Sequence, residues 1–205
     1  MKYRNFLKVL RVFEKNYIKI PLEIFKTNSY KTLISTVLSS RTRDETTLMA
    51  SKKLFKSAPT IEKLGQLDQL KIRNLIYPVG FYKTKAKHLT ILAKKVLEDF
   101  VGKIPDTRED LMKLPGVGRK TANLVLNRAF GKPAIAVDTH VHKISNILGW
   151  VKTKTPEQTE KELVKILPKK YWPDINRFFV SIGRQFTTKT RLEEFLKKNN
   201  LMNHV

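Results

Sequence analysis

Leu114–Leu126 has the sequence LPGVGRKTANLVL, in which a proline and two glycines separate two helical patterns. Before it, Thr107 followed by Asp110 is typical of a helix N-terminus. After it, the range 119–130 places apolar residues at steps of three and four, as a helix requires. The sequence therefore predicts a helix, a tight hairpin and a second helix.

The hairpin glycines predict a phosphate-binding turn. Gly116 and Gly118 have no Cβ, so the backbone can approach a phosphate and the N–H groups at the start of the next helix can point at it. The alternative is an ordinary glycine turn between two helices. The strong positive charge of the chain and the basic start of the second helix favour the phosphate-binding prediction.

Lys120 is the candidate nucleophile. It falls in the first turn of the second helix, where the helix dipole and the neighbouring Arg119 both disfavour an ammonium ion. A lysine attacks carbon as the neutral amine, so we expect Lys120 to be buried at this helix start beside a second cation. The alternative is a solvated surface lysine.

A second candidate segment is VDTH, residues 137–140. Asp138 is predicted to be the N-cap of a helix, which would hold its carboxylate rigidly. That carboxylate could accept a proton from the lysine or stabilise positive charge on a sugar, or Asp138 could be a plain capping residue. His140 is a possible phosphate contact, or merely a polar residue one turn into the helix.

The rest of the chain is predicted to be all-α, because periodic segments have the helical period and alternating β-branched runs are scarce. An amphipathic N-terminal helix is indicated by Phe6, Leu10, Phe13 and Tyr17. Further helix starts are predicted at Asn28 or Ser29, Asp44, Thr60, Asp68, Thr84 and Thr155, and a late helix at about 175–186.

Composition limits the class of protein. The chain has 205 residues, 41% of them hydrophobic, which is enough for one domain or two small lobes. It has 41 Lys plus Arg against 18 Asp plus Glu, a net charge of +23, which favours nucleic acid as partner over an anionic membrane. Apolar runs are too short for a membrane span, and no signal-peptide core is visible near the start. There is no cysteine, so thiol chemistry is excluded.

LPGVGRKTA together with VDTHV resembles the endonuclease III branch of the helix-hairpin-helix DNA glycosylases, and the resemblance extends over about 33–148. It implies a Schiff-base lysine at Lys120 and a catalytic aspartate at Asp138. It also implies two helical lobes with an active-site cleft between them. The lobes would be a six-helix barrel over 26–133, which includes the hairpin, and a second domain from 1–25 and 134–205. The residues implied to bind DNA here are Gly116, Val117, Gly118, Arg119, Thr121 and His140.

Two upstream segments extend the resemblance. LSSRTRD, residues 38–44, is similar to the family segment around the damaged base, which assigns Ser39 and Asp44 to the lesion pocket. A glutamine is usual where Arg41 stands, and Arg41 is expected to fill the gap left by the extruded base. Phe81, in GFYKTK, takes the family's wedge position and could stack between bases, or it could be a core residue.

The C-terminal region departs from the family. Many members continue from a Gly-Arg pair into four cysteines that hold an iron–sulfur cluster, whereas here GRQFT, residues 183–187, continues without any. We therefore expect no cofactor and no metal. Apolar packing is expected to replace the cluster, through Phe178, Phe179, Ile182, Phe186, Leu192, Phe195 and Leu196.

The resemblance implies a glycosylase with lyase activity that removes oxidised pyrimidines from duplex DNA. A glycosylase for mismatched bases or oxidised purines remains open because of Arg41. So does a non-catalytic helix-hairpin-helix module that binds only the DNA backbone. We expect a monomer that binds double-stranded DNA with damaged bases or abasic sites, and a cytoplasmic, nucleoid-associated location without membrane attachment.

Overall fold

The computed structural model describes residues 2–202, with side chains from residue 6 onward. Within this stretch the regular elements are α-helices and two short 3₁₀ helices, at Pro21–Phe25 and Lys169–Tyr171, with no β-strand, so the all-α prediction is confirmed. The α-helices are α1 (Lys2–Lys15), α2 (Ser29–Ser39), α3 (Asp44–Ser57), α4 (Ile61–Gly65), α5 (Gln69–Ile76), α6 (Tyr82–Asp99), α7 (Arg108–Met112), α8 (Arg119–Phe130), α9 (Thr139–Ile147), α10 (Pro156–Ile166), α11 (Trp172–Gln185) and α12 (Lys189–Lys198).

The chain divides into two compact units, one formed by Pro21–Lys132 and the other by Met1–Ile20 with Pro133–Val205. In the described part of the chain, no helix combines the length and the apolar character that crossing a bilayer requires.

The core of the Pro21–Lys132 unit lies around α2 and α6. Helix α2 packs against α3 and α8, and α6 packs against α4 and α5. These helices stay together because each turns an apolar face inward, which removes hydrocarbon surface from water. The completely buried side chains include Leu33, Ile34, Leu38, Leu54, Leu89, Leu92, Ala122 and Val125.

The second unit is held by aromatic packing. Phe13 of α1 meets Phe179 of α11 edge to face, with ring centroids 5.1 Å apart, and both rings are completely buried. The predicted N-terminal amphipathic helix is thereby confirmed. Phe186 stacks on Phe195 with ring centroids 4.4 Å apart, and both rings pack against the same core. The apolar packing expected in place of a cluster is therefore present, and it includes Phe178, Ile182, Leu192 and Leu196.

The predicted helix starts are confirmed at residues whose side chains cap the helix that follows them. Threonine, asparagine and aspartate side chains accept hydrogen bonds from backbone N–H groups in the first turn, as capping requires. These N-caps are Asn28, Thr60, Asp68, Thr107, Asp138 and Thr155.

Two predicted starts are wrong. Asp44 is not the cap of α3 but its first residue, and the N-cap is Arg43, which makes no side-chain capping bond. A carboxylate inside the first turn still stabilises the helix through its dipole. Helix α6 begins at Tyr82 and not at Thr84, because Phe81 takes a left-handed backbone conformation (φ 56°) and turns the chain into the helix two residues earlier.

Candidate functional site

The two glycines of the hairpin between α7 and α8 have different surroundings and different backbone conformations. Gly116 has φ +79°, and a Cβ there would lie 3.0 Å from Nδ1 of His88 and 3.3 Å from Cγ1 of Val37. Glycine is therefore required at 116 for both conformation and space. Gly118 has φ −92° and nothing within 4 Å of a Cβ position. The space beside Gly118 is open to a ligand.

Gly118 is also the N-cap of α8, and no side chain makes a capping bond there. The first-turn N–H groups of a helix lack partners within the helix, and with the positive end of the dipole they attract an anion. Val117 between the glycines is buried, and its N–H donates to the carbonyl of Leu114 (3.1 Å). The side chain of Val117 therefore anchors the hairpin, and any ligand contact of this residue would use backbone.

Lys120 is the second residue of α8 and is exposed. The expectation that it is buried is wrong: Lys120 projects from the first turn into solvent, while its neighbours Arg119 and Thr121 are half-buried. Only a bound ligand could then remove water from this amine.

Asp138 is held at the start of α9. Its Oδ1 accepts a hydrogen bond from the N–H of Val141 (2.8 Å), and the flanking Val137 and Val141 are buried. The cap uses Oδ1, so Oδ2 of the half-buried carboxylate takes no part in it. Capping and chemistry are therefore compatible roles for Asp138.

His140, the second residue of α9, lies against Gly183 of α11. A Cβ at Gly183 would fall 2.2 Å from Nδ1 of His140, so any larger residue would displace the imidazole. Gly183 thus leaves space for the His140 ring, a requirement that our sequence predictions missed. The available signal was a glycine inside the regular pattern of α11, where glycine costs helix stability and calls for a packing reason.

Arg41 and Phe81 form an exposed pair. The guanidinium carbon of Arg41 lies 5.5 Å from the ring centroid of Phe81, a cation–π distance. Both residues have left-handed backbone, with φ 49° and 56°. Phe81 is 60% exposed, so the alternative of a core residue is wrong. The pair exposes an aromatic ring and a guanidinium, and both kinds of group can stack on an aromatic ligand.

The loops that carry this pair are joined by a residue that the sequence analysis did not single out. Lys85 of α6 is buried, and its ammonium donates to the carbonyls of Leu38 and Ser40 and to Oγ1 of Thr42. Burial lowers the pKa of Lys85 to about 8. Nothing in the local pattern marks Lys85, because its partners lie more than 40 residues away.

The two predicted pocket residues lie near the same loop. Ser39 ends α2, is half-buried, and donates from Oγ to the carbonyl of Thr36 (2.8 Å). Asp44 is the half-buried first residue of α3. Ser39 and Asp44 therefore flank Arg41 along the chain, all within the Pro21–Lys132 unit that also carries the hairpin and Lys120, whereas Asp138 and His140 belong to the second unit.

A cavity of about 840 Å³ lies elsewhere in the Pro21–Lys132 unit. None of the predicted site residues, all of which the structure describes, lines it. Its lining includes Tyr30, Asp106 and Asp110. The pKa of Tyr30 is raised by burial and by the nearby Glu62.

An iron–sulfur cluster does not fit this chain. Such a cluster is held by cysteine thiolates, and the 205 residues include none. Among residues 2–202, moreover, no group of three or more His, Asp or Glu side chains is placed to hold a metal ion.

Comparisons with known proteins agree with the fold and the hairpin. Residues 34–169 match the model of the HhH-GPD superfamily of base excision DNA repair proteins. Endonuclease III of Thermotoga maritima is 50% identical over 167 residues, which are 82% of this chain and 78% of that protein. The chain belongs to the HhH-GPD superfamily of base excision DNA repair proteins.

Two solved structures are similar over most of the chain. One is a non-covalent endonuclease III–DNA complex, with TM-score 0.83 and 33% identity, covering 91% of this chain and 87% of that one. The other is a trapped endonuclease III–DNA covalent intermediate, with TM-score 0.75 and 33% identity, covering 87% and 84%. Within the superfamily, the chain is therefore similar to endonuclease III.

Proposed function

We propose that this chain is a DNA glycosylase with AP lyase activity that removes oxidised pyrimidines from duplex DNA. The observation that carries the proposal is Lys120, an exposed amine in the first turn of the helix that follows a phosphate-ready glycine hairpin. A backbone-binding module would need the hairpin and the charge but no lysine at that position. The endonuclease III relatives, one of them trapped covalently on DNA, support the same activity.

The first step is extrusion of the damaged nucleotide, because a glycosidic bond inside the base stack cannot be reached. The N–H groups at the start of α8 bind a backbone phosphate across the open side of Gly118. Phe81 enters the stack as a wedge, and Arg41 fills the space that the base leaves, offering hydrogen bonds from its guanidinium.

The base is released by a substitution at C1′ of the damaged nucleotide, and cleavage of the strand follows. The neutral Nζ of Lys120 attacks C1′, and the glycosidic bond breaks with its electron pair leaving on the base, which takes up a proton. The C1′–O4′ bond then breaks, O4′ takes up a proton that Nζ loses, and the opened sugar is joined to Lys120 as a protonated Schiff base. Loss of a proton from C2′ and departure of the 3′ phosphate nick the strand on the 3′ side. Water then hydrolyses the Schiff base and regenerates the amine.

Lys120 must lose a proton before it attacks, and its exposure makes this a consequence of DNA binding. Bound DNA would exclude water from the helix start, and loss of hydration disfavours the charged form of an amine. Asp138 is proposed to accept the proton and to stabilise positive charge that develops on the sugar, using the carboxylate oxygen outside its cap.

The substrate class rests on the similarity to endonuclease III, and Arg41 is the feature that keeps a second class open. A guanidinium in the base gap can donate to the orphaned base through several N–H groups, which would alter the preference for the opposite base. A panel of duplexes with oxidised pyrimidines, oxidised purines or mismatches separates the two. Release of oxidised purines or mismatched bases in preference to thymine glycol would replace the substrate proposed here.

We also propose that the protein acts on double-stranded DNA as a monomer and without an iron–sulfur cluster, near the nucleoid. The absence of cysteine supports the cofactor part of this proposal. The net charge of +23 supports the DNA part, since neutralising phosphates releases counterions from the duplex.

The proposed activity is tested by trapping the Schiff base. The protein is incubated with a duplex containing an abasic site, and borohydride is added to reduce any imine to a stable adduct. Wild-type protein and a Lys113→Ala control, which removes another exposed lysine of the same unit, are expected to form the adduct. Lys120→Ala is expected to form none. Binding of the duplex without an adduct in wild type would indicate the non-catalytic module.

A further inference from the structure

Lys85 differs from the other basic residues of this chain. Of all lysines and arginines in the range with described burial, 6–202, Lys85 alone is buried, with 4% of its surface exposed. A charged group is rarely buried unless it is fully paired, because it loses its hydration. Lys85 therefore requires a structural reason that surface lysines do not.

The hydrogen bonds of Lys85 use up its donors. Nζ donates to the carbonyl oxygens of Leu38 (2.7 Å) and Ser40 (2.6 Å) and to Oγ1 of Thr42 (3.1 Å). An ammonium has three N–H donors, so none is left for a phosphate. The two carbonyls belong to the end of α2, where the helix dipole is negative and a cation is favoured.

These bonds join the Arg41 loop to the Phe81 loop. Oγ1 of Thr42 accepts from Lys85 and also from the N–H of Gly80 (3.1 Å), and it donates to the carbonyl of Ser40 (3.1 Å). The backbones are so close that a Cβ at Gly80 would lie 2.5 Å from the carbonyl oxygen of Arg41. Each loop therefore constrains the other.

The conformations at the loop tips need such a constraint. Arg41 and Phe81 are both non-glycine residues with positive φ, a conformation that persists only where the surrounding structure imposes it. Both side chains are exposed, so burial of these side chains does not supply the constraint. The hydrogen bonds behind the tips, centred on Lys85, do.

We propose that Lys85 is a positioning residue that locks Arg41 and Phe81 into one rigid pair, so that wedge and gap filler enter the duplex together. This inference rests on the proposed function. Lys85 touches neither DNA nor the reacting atoms. Its buried amine has no route to a sugar, although burial lowers its pKa toward that of a neutral nucleophile. Extrusion from an intact duplex depends on the lock, whereas chemistry on an unpaired abasic site does not.

The test compares two reactions of Lys85→Met, which keeps an unbranched side chain as far as the ε position and removes the donors. Single-turnover release of thymine glycol from a duplex is expected to fall about tenfold to a hundredfold, as for loss of hydrogen bonds to a charged group. Strand cleavage at an abasic site in a single-stranded oligonucleotide is expected to stay close to wild type. Lys87→Met, which removes an exposed charge two residues away, is the matched control and should alter neither reaction strongly.

Thr42 supplies a second pair of variants in case Lys85→Met does not fold. Thr42→Val removes the hydroxyl shared by Lys85 and Gly80, whereas Thr42→Ser keeps it. We expect Thr42→Val to lower the duplex reaction about tenfold, with Thr42→Ser close to wild type.

Two results would overturn the role of Lys85. One is duplex base release close to the wild-type rate in Thr42→Val and in any folded Lys85→Met protein. The other is a parallel loss of single-stranded cleavage, which would indicate general damage to the protein. Failure of the proposed function is seen separately, as wild-type protein that cleaves neither substrate. In that case fluorescence of 2-aminopurine opposite an abasic site still reports entry of the pair, and an equal signal from wild type and Thr42→Val would overturn the lock.

Discussion

Lys120 and Lys85 lie in two regions of one unit and have opposite surroundings. Lys120 is exposed at the N-terminal, positive end of α8, beside a hairpin whose open glycine leaves room for a ligand. Lys85 is buried against the C-terminal, negative end of α2, with all its donors used. The first amine is accessible to a ligand, whereas the second is enclosed among its hydrogen-bond acceptors. These surroundings, and not residue type, thus separate the proposed nucleophile from the positioning residue.

Replacement of the proposed catalytic carboxylate, Asp138, is expected to have a greater effect on activity than any other change proposed here. Asp138→Asn should slow base release roughly 10²–10⁴-fold, the range for losing a general acid or base. Asparagine caps helices about as well as aspartate, so the melting temperature should hardly change. Asp68→Asn, at the N-cap of α5, is the matched control and should leave activity intact. The rate of base release is measured by single-turnover kinetics. A wild-type rate in Asp138→Asn would show that Asp138 only caps α9.

The next effect separates the two hairpin glycines. Gly116→Ala should lower the free energy of unfolding by roughly 1–3 kcal/mol, because alanine is strained at φ +79° and its Cβ meets His88. Gly118→Ala should change stability by less than about 0.5 kcal/mol and yet weaken duplex binding, since its methyl group occupies the open side. Denaturant unfolding and binding titrations test both. If Gly116→Ala were as stable as wild type and bound duplex as tightly, the structural requirement for glycine at 116 would be contradicted.

The smallest effect concerns protonation of Lys85. Its pKa is lowered to about 8 in the folded chain, so above that pH the folded chain gives up a proton that the unfolded chain keeps. The free energy of unfolding should therefore rise with pH from about 8 toward the ordinary lysine pKa, by about 1 kcal/mol between pH 8 and pH 9.

Lys85→Met should lack this rise, and the difference between the two proteins removes the contribution of the other lysines. At the same pH values wild-type base release from duplex should weaken relative to single-stranded cleavage, because the neutral amine has lost one of its three donors. Identical pH dependence of stability in the two proteins would show that Lys85 does not titrate in this range.

Local features of the fold could be predicted because their causes are local. A capping residue bonds to N–H groups two or three positions away, so Asp138 and Thr155 could be recognised as helix starts. The start of α6 was misplaced because the left-handed backbone of Phe81 depends on contacts with a distant loop. A side chain's exposure likewise depends on tertiary packing, which is why burial of Lys120 was wrongly expected.

The role of Lys85 could not be predicted from the sequence, because it too depends on tertiary packing. In the printed sequence it is one of 41 lysines and arginines, and its neighbours do not distinguish it. Its partners Leu38, Ser40 and Thr42 are brought to it by the packing of α2 on α6. The hairpin, in contrast, is contiguous in sequence, so the candidate nucleophile could be named before the residue that positions the wedge.

Locating the covalent bond between protein and DNA shows whether Lys120 is the nucleophile. Wild-type protein is trapped on an abasic duplex with borohydride, digested with protease and nuclease, and the modified peptide is sequenced by mass spectrometry. The sugar remnant is expected on Nζ of Lys120. A remnant on any other amine, Lys85 included, would contradict the assignment of the two lysines.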